Sequence, residues 1–122
     1  SRAIGTALKR NGHGRLITFE IDAGLAAVPR RACRGLPVEV REGSSLAWTP
    51  TAKIDFAWLD SGIETRVQEF EQYYPFLTGS VIGVHDTAPH HPVRAQIQAR
   101  LMDRLAPIWL PTPRGVLLAQ VL

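Results

Sequence analysis

Ile54-Asp-Phe-Ala-Trp-Leu-Asp60 and Val81-Ile-Gly-Val-His-Asp-Thr87 decide how this chain folds. Each is a short apolar run that ends on an acid. Between them lies a helix-length segment, Glu64 to Tyr74, closed by Pro75 and Gly79. Strand, helix, strand is a βαβ unit with two parallel strands. A right-handed crossover sets both carboxyl ends at one rim of the sheet. Asp60, His85 and Asp86 are therefore expected close together on that rim, which is where open α/β sheets bind ligands.

Working back from this unit, residues 46–53 read as a short irregular crossing, with Pro50 set against a long helix. Val38–Glu42 alternates Val38 and Val40 against Glu39 and Arg41, the pattern of a less fully covered strand. Ala23–Arg34 reads as a helix capped by Asp22 and closed by Gly35 and Pro37. Arg15–Ile21 reads as a mostly apolar strand. Residues 2–11 read as a helix, with Ile4, Ala7 and Leu8 on one face and Gly12 at its end.

Working forward, Pro92 suits the first turn of a helix running to about Leu105, because Val93, Ile97, Leu101 and Leu105 form an i, i+4 stripe. Ile108–Leu110 and Gly115–Val121 read as strands joined by Pro111-Thr-Pro-Arg-Gly115, a hairpin. The order α β α β (short α) β α β α β β predicts an α/β fold. It is a Rossmann-like, mostly parallel sheet with helices on both faces and a C-terminal antiparallel hairpin. No repeat or internal boundary interrupts residues 1–122, so a single domain is expected.

Composition narrows the function classes. The chain has 122 residues, 45% hydrophobic and 20% charged, which suits one ordinary globular core. Its net charge of +3 comes from arginines spread along helices, without aromatic-basic interleaving, so nucleic acid is not the expected partner. No apolar run reaches membrane-spanning length, and no membrane partner is expected. Cys33, the single cysteine, excludes an internal disulfide and suits a reducing compartment; it reads as a small buried apolar residue. The expected location is cytoplasmic.

Four groups stand at strand ends: Glu20 with Asp22, Gly43–Ser45, Asp60–Gly62 and His85–Thr87. An acid at a strand end can accept hydrogen bonds from both hydroxyls of a ribose. A Gly-Ser-Ser turn offers backbone N–H groups and small side chains to an adenine edge. Asp22 reads as a helix cap, which leaves Glu20 for function. Trp48, near that turn, is a candidate for stacking, whereas Trp58 and Trp109 read as packing residues.

The succession Gly14-Arg-Leu-Ile-Thr-Phe-Glu-Ile-Asp22, Val38-Glu-Val-Arg-Glu-Gly-Ser-Ser45, Ile54–Asp60 and Pro75–Thr87 resembles the class I S-adenosylmethionine-dependent methyltransferases, nearest the small-molecule O-methyltransferase branch. The resemblance extends over nearly the whole chain. It implies S-adenosylmethionine as cofactor and a small-molecule acceptor. It implies cofactor-binding roles for Glu20 on the ribose, for Gly43, Ser44 and Ser45 beside the adenine, and for Asp60 and Ser61 near the methionine end. Asp60 and His85 become the catalytic candidates, His85 as a base for the acceptor. In metal-dependent relatives Asp60 and Asp86 would hold magnesium, although a hard cation suits carboxylates better than the mixture with His85 and Thr87 found here.

The resemblance also implies an N-terminal truncation. Ser1–Leu8 matches the helix that follows the family's first strand and glycine-rich loop, and neither precedes it in this sequence. Three outcomes are open: the neighbouring strands close up, a second copy fills the gap as a homo-oligomer, or the chain is a fragment of a longer gene. A second function class follows, a non-catalytic methyltransferase-like remnant acting as an oligomerisation or interaction domain. A third, a zinc hydrolase using His85, Asp86, His90 and His91, has poor ligand spacing, and a surface loop is the expected reading of that stretch.

Overall fold

Residues 1–122 are all described by the computed structural model, and they divide into two compact units, Ser1–Trp48 and Thr49–Leu122. The first unit holds α1 (Arg2–Asn11), β1 (Leu16–Glu20), α2 (Ala23–Ala32) and β2 (Val38–Glu42), followed by a 3₁₀ turn at Ser45–Ala47. β1 and β2 run parallel, with Leu16 opposite Val38 and Glu20 opposite Glu42. Glu20 and the turn after Glu42 are thereby set side by side at the carboxyl rim. Asp22 caps α2 as its sequence position requires, its side chain accepting from the Leu25 N–H at 2.9 Å. Ala26 and Cys33 are buried here, Cys33 as the expected small apolar filler.

The second unit holds β3 (Phe56–Leu59), α3 (Ile63–Leu77), β4 (Val81–His85), α4 (Pro92–Arg100), β5 (Leu105–Leu110) and β6 (Val116–Val121). Its strand order is β3-β4-β6-β5. β3 and β4 are parallel, as the βαβ reading requires, and β6 lies antiparallel to both β4 and β5. Val67, Phe70 and Leu77 of α3, with Val93 and Ile97 of α4, are buried, as are Ile82, Val84, Leu117 and Val121 from the sheet. The alternate residues Phe56, Trp58, Val81 and Ile108 are 44–64% exposed. Along β3, β5 and β6 the period of two separates a core face from a more open one, while β4 buries Ile82, Gly83 and Val84 in succession. The architecture is the expected Rossmann-like α/β fold with a C-terminal antiparallel hairpin.

Several helix and strand boundaries differ from the sequence reading. α3 continues through Pro75 to Leu77. Proline removes one intrahelical bond, but Pro75 is exposed in the last turn, and full burial of Leu77 favours continuing the helix. α2 ends at Ala32, ahead of Arg34. α4 ends at Arg100, a 3₁₀ turn covers Met102–Arg104, and Leu105 opens β5. Leu105 is buried as the stripe demands, but from a strand. β5 also takes in Pro107, which an edge strand tolerates because one side of its backbone has no ladder to complete.

Candidate functional site

The parallel register of β3 and β4 brings their carboxyl ends together, and Asp60, His85 and Asp86 meet there with ligand atoms all within 4.8 Å of one another. His85 Nδ1 lies 3.2 Å from an oxygen of Asp60 and 3.2 Å from an oxygen of Asp86. An ionised carboxylate only accepts, so a hydrogen bond between Nδ1 and Asp60 requires the tautomer with the proton on Nδ1, in which Nε2 keeps the lone pair. The Trp58 ring lies beside the imidazole, centroid to centroid 6.3 Å. Asp60 is half exposed, His85 partly exposed and Asp86 buried.

Asp86 is held by the backbone as well as by its charge. Its φ of 59° places it in the left-handed region, uncommon for a residue with a side chain. One carboxylate oxygen accepts from Arg114 Nε at 2.5 Å, and the other from an Arg66 terminal nitrogen at 2.9 Å. The Arg114 hydrogen bond, followed by that from Arg66, outweighs burial and holds the Asp86 carboxyl down at about 2.

Arg66 was not among the residues expected to matter. It is 5% exposed on α3 and donates to the Ser61 carbonyl and the His85 carbonyl, each at 2.8 Å, and to Asp60 at 3.3 Å in addition to Asp86. One guanidinium therefore ties the ends of β3 and β4 to the helix between them. Ser61 donates its hydroxyl to buried Glu69 at 2.6 Å. The signal was present in the sequence: Arg66, Glu69, Phe70, Tyr73 and Leu77 follow helical spacing, so two charged residues stand in the apolar stripe. Charged side chains so placed need partners. Arg114, in the hairpin turn, carried no comparable signal.

A divalent cation fits this cluster poorly. Both oxygens of Asp86 are engaged by guanidinium groups, and the Asp60 oxygen nearest the cluster is engaged by Arg66 and His85. The cations already present neutralise the two acids, and a hard metal ion prefers an oxygen-rich cage with negative charge to spare. His90 and His91 are not members of the cluster.

At the rim of the first unit, the Gly43 N–H donates to the Glu20 carbonyl at 2.9 Å, which locks the turn against the end of β1. One Glu20 carboxylate oxygen accepts from the Asp22 N–H at 3.0 Å. Gly43 has φ 118°, and no atom would meet a Cβ built there within 4 Å, so the backbone at this turn borders open space. The Ser44 hydroxyl accepts from the Leu46 N–H at 3.2 Å and caps the 3₁₀ turn that Ser45 begins. Trp48 packs against Phe19, ring centroids 5.4 Å apart, with the Arg41 guanidinium 5.2 Å from its ring. The Glu20 carboxylate, an acceptor, thus lies at the same rim as an open, glycine-led turn.

These strands, with acids at their carboxyl ends and a closing antiparallel hairpin, make a fold of the class I S-adenosylmethionine-dependent methyltransferase type. Solved structures of that kind superpose on it. The SAH-bound methyltransferase PaMTH1 of Podospora anserina matches over 89% of this chain with a TM-score of 0.71 and 16% identity. A methyltransferase of Geobacter sulfurreducens matches over 88% at 0.67 and 18% identity. The O-methyltransferase TomG of Streptomyces achromogenes, in complex with SAM, matches over 88% at 0.65 and 23% identity. The chain spans only 61%, 58% and 62% of these three proteins. No protein-family model and no curated protein matches the sequence. No helix is long and apolar enough to cross a membrane.

Proposed function

We propose that this chain serves S-adenosylmethionine-dependent methyl transfer to a small-molecule acceptor, either itself or as the C-terminal part of a longer enzyme. The observation that carries the reading is the His85 pair of carboxylates on this fold: a base with a fixed tautomer at the rim where methyltransferase-type sheets do their chemistry. S-adenosylmethionine supplies an electrophilic methyl group on a sulfonium centre. The residues of this chain supply binding, orientation and a place for a proton.

In the first unit, Glu20 accepts hydrogen bonds from ribose hydroxyls while its link to the Asp22 N–H keeps the carboxylate from swinging away. The open backbone at Gly43 admits a flat base edge, and Ser44 and Ser45 shape the turn beside it. In the second unit, Asp60 and Asp86 fix the imidazole so that Nε2 takes the acceptor proton. The imidazolium that results is stabilised by the same two carboxylates. Ser61 and Glu69 hold the start of α3 in place through their mutual hydrogen bond, so Ser61 acts by positioning Asp60. Glu20, the Gly43 turn, Asp60 and His85 are thus assigned by chemistry, and magnesium is not.

Isothermal titration with S-adenosylmethionine tests the binding half. Micromolar affinity is expected, and no heat at millimolar cofactor overturns the reading for this chain. Where turnover is found, His85→Asn should lower kcat by about 100-fold or more, the usual contribution of a positioned base, with cofactor affinity unchanged.

A further inference from the structure

We propose that Arg66 and Arg114 are built-in counter-cations, which do for Asp60 and Asp86 what a bound divalent ion would do and thereby keep such an ion out. Three acid or imidazole ligands converging within 4.8 Å look, by composition alone, like a cation site. The bonding around them shows otherwise. Asp86 has one oxygen on Arg114 at 2.5 Å and the other on Arg66 at 2.9 Å. An ion between Asp60 and Asp86 would lie close to the Arg66 nitrogen, which donates to both acids, and like charges at that separation repel strongly inside a protein. Arg66 cannot step aside, because it is buried and two of its other nitrogens hold the Ser61 and His85 carbonyls. Leaving would strand two carbonyl acceptors as well as a buried carboxylate.

The two arginines differ in mobility. The Arg114 side chain is 67% exposed, and Asp86 is its only ionic partner. It is the replaceable half of the pair, whereas Arg66 is the fixed half. Two guanidinium groups balance the two carboxylates of Asp60 and Asp86. The inference concerns cation binding alone and stands whether or not the chain transfers methyl groups.

The probe is Mn²⁺, followed by the loss of its free-ion electron paramagnetic resonance signal, with the full chain near neutral pH. The unaltered chain is expected to show no saturable binding up to ~1 mM, the weak end of protein sites for hard divalent ions. Arg114→Gln removes the exposed counter-charge and should raise Mn²⁺ affinity by about 10-fold or more. Asp60→Asn in that background should abolish the gain; Asp60 is half exposed, so this change leaves the buried network folded. Circular dichroism on each variant confirms the fold. Saturable binding to the unaltered chain that Asp60→Asn removes overturns the proposal. So does an Arg114→Gln chain that folds and still binds nothing, because Arg66 alone would then exclude the ion and Arg114 would not be a counter-cation that keeps it out.

Discussion

Arg66→Met removes the guanidinium and keeps most of the buried stem. The change strips Asp86 of its 2.9 Å partner and leaves the Ser61 and His85 carbonyls without their 2.8 Å donors. Removing one member of a buried ion pair costs about 3–5 kcal/mol. Arg114 still faces Asp86, which pulls the figure to the lower end, and the contact with half-exposed Asp60 adds little. The net expectation is about 3 kcal/mol. A domain of ordinary stability, roughly 5–15 kcal/mol, survives that loss.

Urea unfolding followed by tryptophan fluorescence should show a midpoint lower by about 1–3 M, given slopes of about 1–3 kcal/mol per M. Acid adds a second readout. The Asp86 carboxyl sits at about 2, below its ordinary value of 3.8, through the Arg114 and Arg66 hydrogen bonds. A depressed carboxyl stabilises the fold above its unfolded value and loses that contribution as pH falls through the folded value. The contribution of about 2 kcal/mol is therefore complete at neutral pH, declines below about pH 4 and is gone below about pH 2. Arg66→Met removes one of the two causes, so the stability gap between the two proteins should narrow as pH falls from 7 towards 2. A midpoint shift worth less than about 0.5 kcal/mol, or a gap that does not change with pH, would refute the assignment of Arg66 as the hub.

Three further outcomes are expected. Glu20→Gln keeps an acceptor for the Asp22 N–H but loses the charge, and should weaken S-adenosylmethionine binding about 10–100-fold by titration calorimetry; an unchanged Kd removes Glu20 from the site. Gly115→Ala places a Cβ on the backbone of Thr87 and Ala88 at a residue with φ 75°, and should cost about 2 kcal/mol or more in thermal unfolding, whereas a tolerated alanine would mean the hairpin does not press on that loop. Gly83→Val drives a branched side chain into the Trp58 ring that lies across it, so the emission of that indole should shift, and an unchanged spectrum would count against the cross-strand packing.

Much of this fold is legible in the sequence because its determinants are local. Apolar runs ended by acids mark β3 and β4; Asp22 and Gly12 mark helix ends; the interval between Ile54 and Thr87 has room for one crossover. The convergence of Asp60, His85 and Asp86 follows from parallel pairing alone. What escaped depends on distant partners. Leu105 fits a helical stripe and a strand equally, and its pairing with Val121 decides for the strand. Pro75 reads as a stop, yet packing at Leu77 carries the helix past it. Arg114 is an arginine in a turn until the hairpin brings it to Asp86, 28 residues away. The charges of Arg66 and Glu69 within an apolar stripe were readable, but their partners were not.

The left-handed backbone at Asp86 has a consequence for the order in which the molecule assembles. Asp86 is clasped by Arg66 from 20 residues upstream and by Arg114 from 28 residues downstream. Neither clasp belongs to a local turn, so each requires closure of a long loop before it returns any energy. Helix α3 is the local element and can form first, and pairing of β3 with β4 closes the crossover that brings Arg66 to Asp86. The hairpin arrives later and latches the kink through Arg114 and the Gly115 backbone. Amide exchange at Thr87 and Ala88, whose N–H groups are bonded to Gly115 and Arg114, would therefore report the undocking of the hairpin, at an opening energy below that of the β3–β4 core.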